Sequence, residues 1–182
     1  MNIGIANPSF SVWAGSFLYP NLPIILVVEC ETQAQQARLE LARIGFDLLA
    51  GFIVADDLDE KQQIAQIEAR EFLTSLESPQ GVVTLDVRSA QEWSRDHLEA
   101  AIHISLAQLP VRMGGFSKKV PLALLCESGY RSSIAASLLQ SKGFRRLSNV
   151  VGGMLAVRRL SSCAKAISQF RSTIQGEANG YS

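Results

Sequence analysis

Residues 120–132, Val-Pro-Leu-Ala-Leu-Leu-Cys-Glu-Ser-Gly-Tyr-Arg-Ser, predict a strand, a tight loop and the first turn of a helix. The apolar run ends at Cys126, and an amphipathic stretch continues from residue 133 to residue 142. A loop of this kind directs successive backbone N–H groups and a helix N-terminus at the sulfur. A thiolate placed there is stabilised and is nucleophilic near neutral pH, so Cys126 is the candidate catalytic residue.

Composition and charge exclude several classes of function. The 182 residues are 47% hydrophobic, and 17 basic side chains balance 17 acidic ones. Nucleic-acid and membrane-surface partners require a basic excess, so we expect neither. Three sparse cysteines favour a reducing compartment over a disulfide scaffold, and no signal-peptide pattern opens the sequence. No cysteine or histidine cluster has zinc-ligand spacing. We therefore expect a cytoplasmic protein with no metal and no cofactor.

The chain also contains a weak internal repeat. A shift of 98 residues places 23–46 on 121–144, and each copy reads as proline, apolar strand, loop, helix, glycine and phenylalanine. Alternating strands and helices predict βαβ units and a parallel sheet. Seven positions are identical in the two copies: Pro23/Pro121, Leu26/Leu124, Glu29/Glu127, Ala37/Ala135, Leu41/Leu139, Gly45/Gly143 and Phe46/Phe144.

The two copies differ where chemistry would occur. In the first copy, Val28 stands at the position of Cys126, and the glycine, arginine and serine of the loop are also replaced. Cys30 lies two positions further along, and we interpret it as a small buried hydrophobe. Only the second copy has a predicted strand and helix upstream, at 64–67 and 68–76, before a turn at 78–81 and a buried strand at 82–87. The first copy therefore looks truncated.

The second copy resembles the rhodanese family of sulfurtransferases between about Ile64 and Val157. Besides the cysteine loop, the resemblance depends on these segments: Leu85-Asp-Val-Arg88 with Glu92-Trp93, residues 97–104, Gly143-Phe144 and Gly152-Gly153. Residues 10–15 and 42–46 of the first copy are similar to the degenerate rhodanese module that follows a metallo-β-lactamase domain in persulfide dioxygenase fusions.

The resemblance implies an α/β fold of tandem rhodanese-like modules, each with a mostly parallel central sheet flanked by helices. Residues 1–60 would form a truncated, degenerate module, and residues 61–158 the active domain. Residues 159–182 would form a C-terminal helix and a frayed tail, because the apolar residues from Leu160 to Ile174 have helical spacing. A metallo-β-lactamase-like dioxygenase domain is the expected partner.

The resemblance also implies a reaction. Cys126 would take a sulfane sulfur from thiosulfate or a low-molecular-weight persulfide, and would pass it from its own persulfide to a thiol or cyanide. Substrate-binding groups would come from the rest of the loop, and supporting residues from the segment 86–92. The loop residues are Glu127, Ser128, Gly129, Tyr130, Arg131 and Ser132; the supporting residues are Asp86, Arg88 and Glu92.

Several roles remain open at the level of sequence. Arg131 faces an anionic donor, pairs with Asp86 or Glu92 and so braces the loop, or does both. We expect Ser132 to cap the following helix, with donation to the sulfur as the alternative. Asp86 and Arg88 are expected to form a structural ion pair rather than to face the substrate. We expect Trp93, His97 and His103 to be structural.

Glu127 departs from the family pattern, because the position after the cysteine is usually basic or neutral. A carboxylate there adds negative charge beside the thiolate and is expected to disfavour an anionic donor. A persulfide carrier or docking module of a sulfide-oxidation system is therefore the alternative to an enzyme. A phosphatase or arsenate reductase is a weaker alternative, because the spacing from Cys126 to Arg131 is C-x4-R rather than the C-x5-R of cysteine phosphatases.

Overall fold

The computed structural model of the protein describes residues 1–59, 62–78 and 82–162. The chain divides into two compact units, Met1–Gln63 and Ile64–Ser182. In the described part of the chain, no helix is long and apolar enough to cross a membrane.

The first unit is built on a parallel pair of strands. Its elements are α1 (Phe10–Phe17), β1 (Ile24–Val28), α2 (Glu31–Ala42), β2 (Leu49–Val54) and a 3-10 turn (Ala55–Asp57). Both helices pack on one face of the sheet, where the buried core consists of Phe10, Ala14, Ala37, Leu41 and Phe46. The expectation that Cys30 is buried is wrong: β1 ends at Val28, and Cys30 is exposed at the N-cap of α2.

The second unit contains a five-stranded sheet. Its elements are β3 (Ala65–Ile67), α3 (Ala69–Leu76), β4 (Val83–Asp86), α4 (Ala90–Arg95), β5 (Ile102–His103), α5 (Leu109–Arg112), a 3-10 turn (Met113–Gly115), β6 (Leu122–Leu125), α6 (Tyr130–Ser141), β7 (Leu147–Val150) and a helix, α7, over residues 153–162. The strand order is β3-β7-β6-β4-β5, and every strand pair is parallel. The predicted α/β class with a mostly parallel central sheet is confirmed.

The central strand β6 is buried at all four positions. It is uniformly apolar because a strand inside a parallel sheet has both faces covered. On one face, a core cluster joins the sheet to α3 and α7, and its members are Ala69, Phe72, Ala123, Leu125, Val150, Met154 and Val157. This packing fixes the carboxyl end of β6, where Cys126 follows directly.

The helix α7 crosses the predicted domain boundary at residue 158, because Val157 belongs to this core and Leu160 packs against it. The rest of the predicted tail helix, with Cys163, lies outside the described residues, as do the frayed tail and most of the turn at 78–81. The strand and helix expected at 64–67 and 68–76 are present as β3 and α3.

Positions that lie 98 residues apart share backbone conformation as well as residue type. Gly45 and Gly143 both have positive φ, 83° and 90°, and each ends its helix. The following residues, Phe46 and Phe144, both donate their N–H to the carbonyl five positions earlier. In both copies the first strand pairs in parallel with the next, and the first residue pair corresponds, Ile24 opposite Leu49 and Leu122 opposite Leu147. Beyond Ile24 the register of the first copy shifts by one residue, so that Ile25 lies opposite Gly51. That the first unit is a rhodanese-like module stays a prediction.

Candidate active site

The cysteine loop lies at the carboxyl end of the central strand, the edge of an open parallel sheet where ligands generally bind. Cys126 is fully buried, and α6 begins four residues later at Tyr130. Gly129 is the N-cap of α6 and has a φ of 100°, a left-handed conformation that glycine adopts without strain. This turn brings the N–H of Gly129 to 3.1 Å from the Cys126 Sγ, where it donates a hydrogen bond.

A second donor reaches the sulfur from the first turn of α6. The Ser132 hydroxyl lies 3.3 Å from the Cys126 Sγ and 3.1 Å from the Gly129 carbonyl oxygen. The expectation that Ser132 caps the helix is wrong, because the N-cap is Gly129 and α6 already begins at Tyr130, so the Ser132 hydroxyl lies in the first turn and faces the loop. One hydroxyl proton serves one strong bond at a time, and a thiolate is the stronger of these two acceptors.

The start of α7 holds the other side of the loop. The N–H of Met154 donates to the Cys126 carbonyl at 2.8 Å, and that of Leu155 donates to the Glu127 carbonyl at 3.1 Å. A Cβ on Gly153, whose φ is 55°, would lie 2.3 Å from the Cys126 carbonyl oxygen. Only glycine allows this approach, so the Gly152-Gly153 pair seen in the sequence fixes the peptide groups around the nucleophile.

Arg131 braces the loop. Its two terminal nitrogens donate to the two Glu92 carboxylate oxygens, both at 2.6 Å. The hydrogen bonds from Arg131 lower the pKa of Glu92 to about 2 and, reciprocally, raise the pKa of Arg131. Glu92 also completes a capping box with Ser89 at the start of α4. Of the two interpretations of Arg131, the structure supports pairing with Glu92.

Asp86 and Arg88 form a buried ion pair at the end of β4, as expected. The Arg88 side chain is only 1% exposed, and its Nε and Nη2 donate to the Asp86 carboxylate at 2.8–3.1 Å. Burial acts to lower the pKa of Arg88, but the bond and charge of Asp86 outweigh it, so the pKa is raised. Since buried charges require partners of this kind, the pair has the geometry of a structural ion pair.

Glu127 is not the uncompensated charge that the sequence suggested. Its carboxylate is paired with Arg158 on α7 and lies 3.6 Å from Arg88. Arg158 also binds Asp96 at 2.9 Å, so one guanidinium joins two carboxylates. Sequence reasoning missed Arg158, because it lies 31 positions from Glu127 and no motif marks it.

These charges line an open cavity of about 530 Å³ beside the loop. Its lining residues are three arginines and three carboxylates: Arg88, Arg95, Arg158, Glu92, Asp96 and Glu127. Of the remaining predicted loop residues, Ser128 is exposed, and Tyr130 is half-buried, which raises its pKa. Within the described ranges, no three His, Cys, Asp or Glu side chains are grouped as metal ligands would be.

The aromatic residues near the site are packed together. The Trp93 ring stacks between His97 and His103, with ring centroids 4.0 and 4.8 Å apart. His97 and His103 also bond through ring nitrogens to backbone carbonyls, at 3.0 and 2.9 Å. The three side chains therefore have the structural roles expected for them.

Comparison with known proteins agrees with this geometry. The family model of the rhodanese-like domain matches residues 68–160, which lie in the second unit. The chain belongs to the rhodanese-like family. A thiosulfate sulfurtransferase of Coxiella burnetii, GlpE, is 29% identical over 92 residues, which cover 50% of this chain and 82% of that protein.

Two further proteins match over a similar stretch. The putative sulfur carrier protein YrkF of Bacillus subtilis is 29% identical over 96 residues, and the match spans 53% of this chain and 52% of that protein. The chain thus covers about half the length of that relative. The crystal structure of a rhodanese-like domain protein from Staphylococcus aureus superimposes with a TM-score of 0.50 at 26% identity, over 52% of this chain and 91% of that one.

Gly153→Ala should disrupt the rhodanese-like loop. The added Cβ meets the backbone of the nucleophile's peptide, and the left-handed φ disfavours alanine, so we expect a loss of at least ~2 kcal/mol in unfolding free energy. Urea denaturation measures this change in unfolding free energy. Gly114→Ala is the matched control, since no other group lies within 4 Å of the place its Cβ would take, and it should stay within about 0.5 kcal/mol of wild type. Wild-type stability for Gly153→Ala would show that the close approach is not a constraint.

The Glu92–Arg131 pair should make stability depend on acid pH. The pKa of Glu92 is lowered from 4.5 to about 2, so its stabilising contribution is complete above about pH 4.5 and is lost as the pH falls through about 2. The difference in unfolding free energy between wild type and Glu92→Gln should therefore narrow over that interval. An exposed carboxylate, Glu77, provides the control substitution. If the difference in unfolding free energy between wild type and Glu92→Gln does not change with pH, the pairing of Glu92 with Arg131 is contradicted.

Proposed function

We propose that the chain is a sulfurtransferase that moves a sulfane sulfur from a donor to a thiophilic acceptor through a persulfide on Cys126. The observation that carries this proposal is the convergence of two donors, the Gly129 N–H and the Ser132 hydroxyl, on the Cys126 Sγ. Such donors stabilise negative charge on sulfur before and after transfer, as an oxyanion hole does on oxygen. The naming of the Coxiella burnetii relative as a thiosulfate sulfurtransferase supports the same chemistry.

The first half-reaction loads the cysteine. The Cys126 thiolate attacks the outer, sulfane sulfur of the donor, a new S–S bond forms, and the donor's own bond to that sulfur breaks. With thiosulfate, sulfite leaves with the electron pair; with a low-molecular-weight persulfide, a thiolate leaves. The enzyme persulfide carries the negative charge on its terminal sulfur, close to the donors of the loop.

The second half-reaction removes the sulfur from Cys126. A thiol or cyanide attacks the terminal sulfur, the S–S bond to Cys126 breaks, and the Cys126 thiolate is regenerated with the bonding electron pair. With cyanide the product is thiocyanate. No proton transfer to a general base is needed when the nucleophile is already a thiolate.

Phosphate chemistry is a weaker proposal for this loop. A phosphatase uses the arginine of its loop to bind an oxyanion. Here both terminal nitrogens of Arg131 are bound to Glu92, so that guanidinium is committed to bracing the loop. The short C-x4-R spacing agrees with a site for one sulfur atom.

A non-turnover persulfide carrier, or docking module of a sulfide-oxidation system, is the second candidate. One observation favours it: the Bacillus subtilis relative is named a putative sulfur carrier protein. In this version Cys126 would exchange sulfur once with a separate protein, for example a metallo-β-lactamase-like dioxygenase. A free thiol nucleophile requires a reducing compartment, which supports a cytoplasmic location for either version.

The first unit enters the proposal as an inert, truncated rhodanese-like module. Its parallel strand pair and helix-ending turn resemble those of the second unit, but Val28 stands in place of the nucleophile. Truncation is supported by one face of its sheet. On that face Ile25, Val27 and Phe52 are exposed. The residues 98 positions later, Ala123, Leu125 and Val150, are buried under α3 and α7.

Steady-state kinetics with thiosulfate and cyanide test the proposal. Wild type should form thiocyanate with the parallel double-reciprocal lines of double displacement, and Cys126→Ser should fall to the buffer background because no persulfide can form. Cys30→Ser, which removes the exposed cysteine of the first unit, is the control and should keep wild-type activity.

The outcomes separate the candidates. Turnover that survives Cys126→Ser overturns the proposal. An absence of turnover in wild type, together with stoichiometric transfer from glutathione persulfide to Cys126, selects the carrier. Hydrolysis of phosphate esters that depends on Cys126 selects the phosphatase.

A further inference from the structure

We propose that Arg158 is a specificity-determining residue: by neutralising Glu127 beside the nucleophile, it allows anionic sulfur donors to reach Cys126. This inference rests on the proposed sulfur transfer and identifies the donor class as small anions. It gives a role to a side chain that the cysteine motif does not contain.

The position of Glu127 is the first step. It follows Cys126 directly, and its side chain lines the charged cavity beside the loop. An unpaired carboxylate there would repel a donor such as thiosulfate, which carries two negative charges, and the repulsion would grow with donor charge. Acceptance of an anionic donor therefore needs a cation at this point.

Arg158 is the cation best placed to supply that charge. Its guanidinium pairs with both Glu127 and Asp96, and its side chain is 38% exposed at the cavity. Two other arginines near the loop are bound mainly to other carboxylates: Arg88 is buried against Asp86 and reaches Glu127 only at 3.6 Å, and Arg131 is bound to Glu92. Neither can move toward Glu127 without breaking another pair.

The charge balance of the cavity depends on this residue. Its lining consists of three arginines and three carboxylates, so the formal charge is zero. Loss of Arg158 leaves two arginines against three carboxylates, a charge of minus one, and leaves Glu127 with Arg88, at 3.6 Å, as its remaining partner. Loss of the Glu127 charge has the opposite effect and leaves plus one.

Arg158 acts through Glu127 and not on the reacting atoms, so the prediction concerns KM more than kcat. We take the loss of one positive charge from the cavity to weaken the binding of a monoanionic donor about threefold. The binding of a dianionic donor should then weaken about tenfold. Both thiosulfate and an aryl thiosulfonate, a monoanion that releases an arenesulfinate, load the cysteine by the same bond exchange. Comparison of the KM changes for these two donors isolates the effect of donor charge.

The test measures KM and kcat for both donors with cyanide, in wild type and variants. Arg158→Met should raise the KM for thiosulfate about tenfold and that for the thiosulfonate about threefold, with kcat within about twofold. Arg158→Lys should stay near wild type, and adding Glu127→Gln to Arg158→Met should restore most of the thiosulfate affinity. High salt should shrink the Arg158→Met effect. Arg145→Met, on an exposed arginine at the other end of the sheet, is the control.

The outcomes are separable from those of the proposed function. Equal KM changes for the two donors, a loss confined to kcat, or no rescue by Glu127→Gln would show that Arg158 is merely structural, even if sulfur transfer itself is intact. If Arg158→Met does not fold, Glu127→Gln alone decides: it should lower the KM for thiosulfate, and an unchanged KM overturns the inference. A wild type inactive with every donor removes the proposed function, and this inference with it.

Discussion

The active loop depends on two backbone hydrogen bonds from the start of α7, those of Met154 and Leu155 to the carbonyls of Cys126 and Glu127. They hold the first peptides of the loop against a second element of the fold. The left-handed Gly129 then turns the chain so that its N–H meets the sulfur. Without the close approach at Gly153, neither the donor geometry nor the burial of Cys126 would be specified.

Around this constraint, arginine–carboxylate pairs stabilise each segment that reaches the site. Arg88 ties β4 to Asp96 near the end of α4, Arg131 ties α6 to α4 through Glu92, and Arg158 ties α7 to the loop. The pairs differ in exposure, so they differ in role. The buried Arg88 pair is structural, whereas Arg158 at the cavity can influence what approaches Cys126.

Local sequence patterns predicted the elements of the second unit and the place of Cys126 between a strand and a helix. The strand–loop–helix around Cys126, the short strand β3 and the helix α3 all follow from apolar spacing and turn residues, which are local properties. Errors arose where a role depends on a one- or two-residue shift of an element boundary. Cys30 is exposed because β1 ends at Val28, and Ser132 reaches the sulfur because α6 begins at Tyr130.

Long-range contacts were beyond the sequence. The sequence offered Asp86 and Glu92 as partners of Arg131, and only the position of α4 selects Glu92. The compensation of Glu127 by Arg158 requires knowing that α7 returns to the loop, which no motif encodes. The negative charge that the sequence places at Glu127 is therefore compensated in the fold, where it belongs to a neutral charge network.

The central claim, that Cys126 carries the transferred sulfur, is tested most directly by peptide mass spectrometry after treatment with a sulfane donor. Trypsin releases Cys126 in the peptide of residues 120–131, separate from Cys30 and Cys163. We predict that this peptide gains the mass of one sulfur atom and that cyanide removes it. An unmodified 120–131 peptide, or sulfur found on Cys30 or Cys163 instead, would contradict the account.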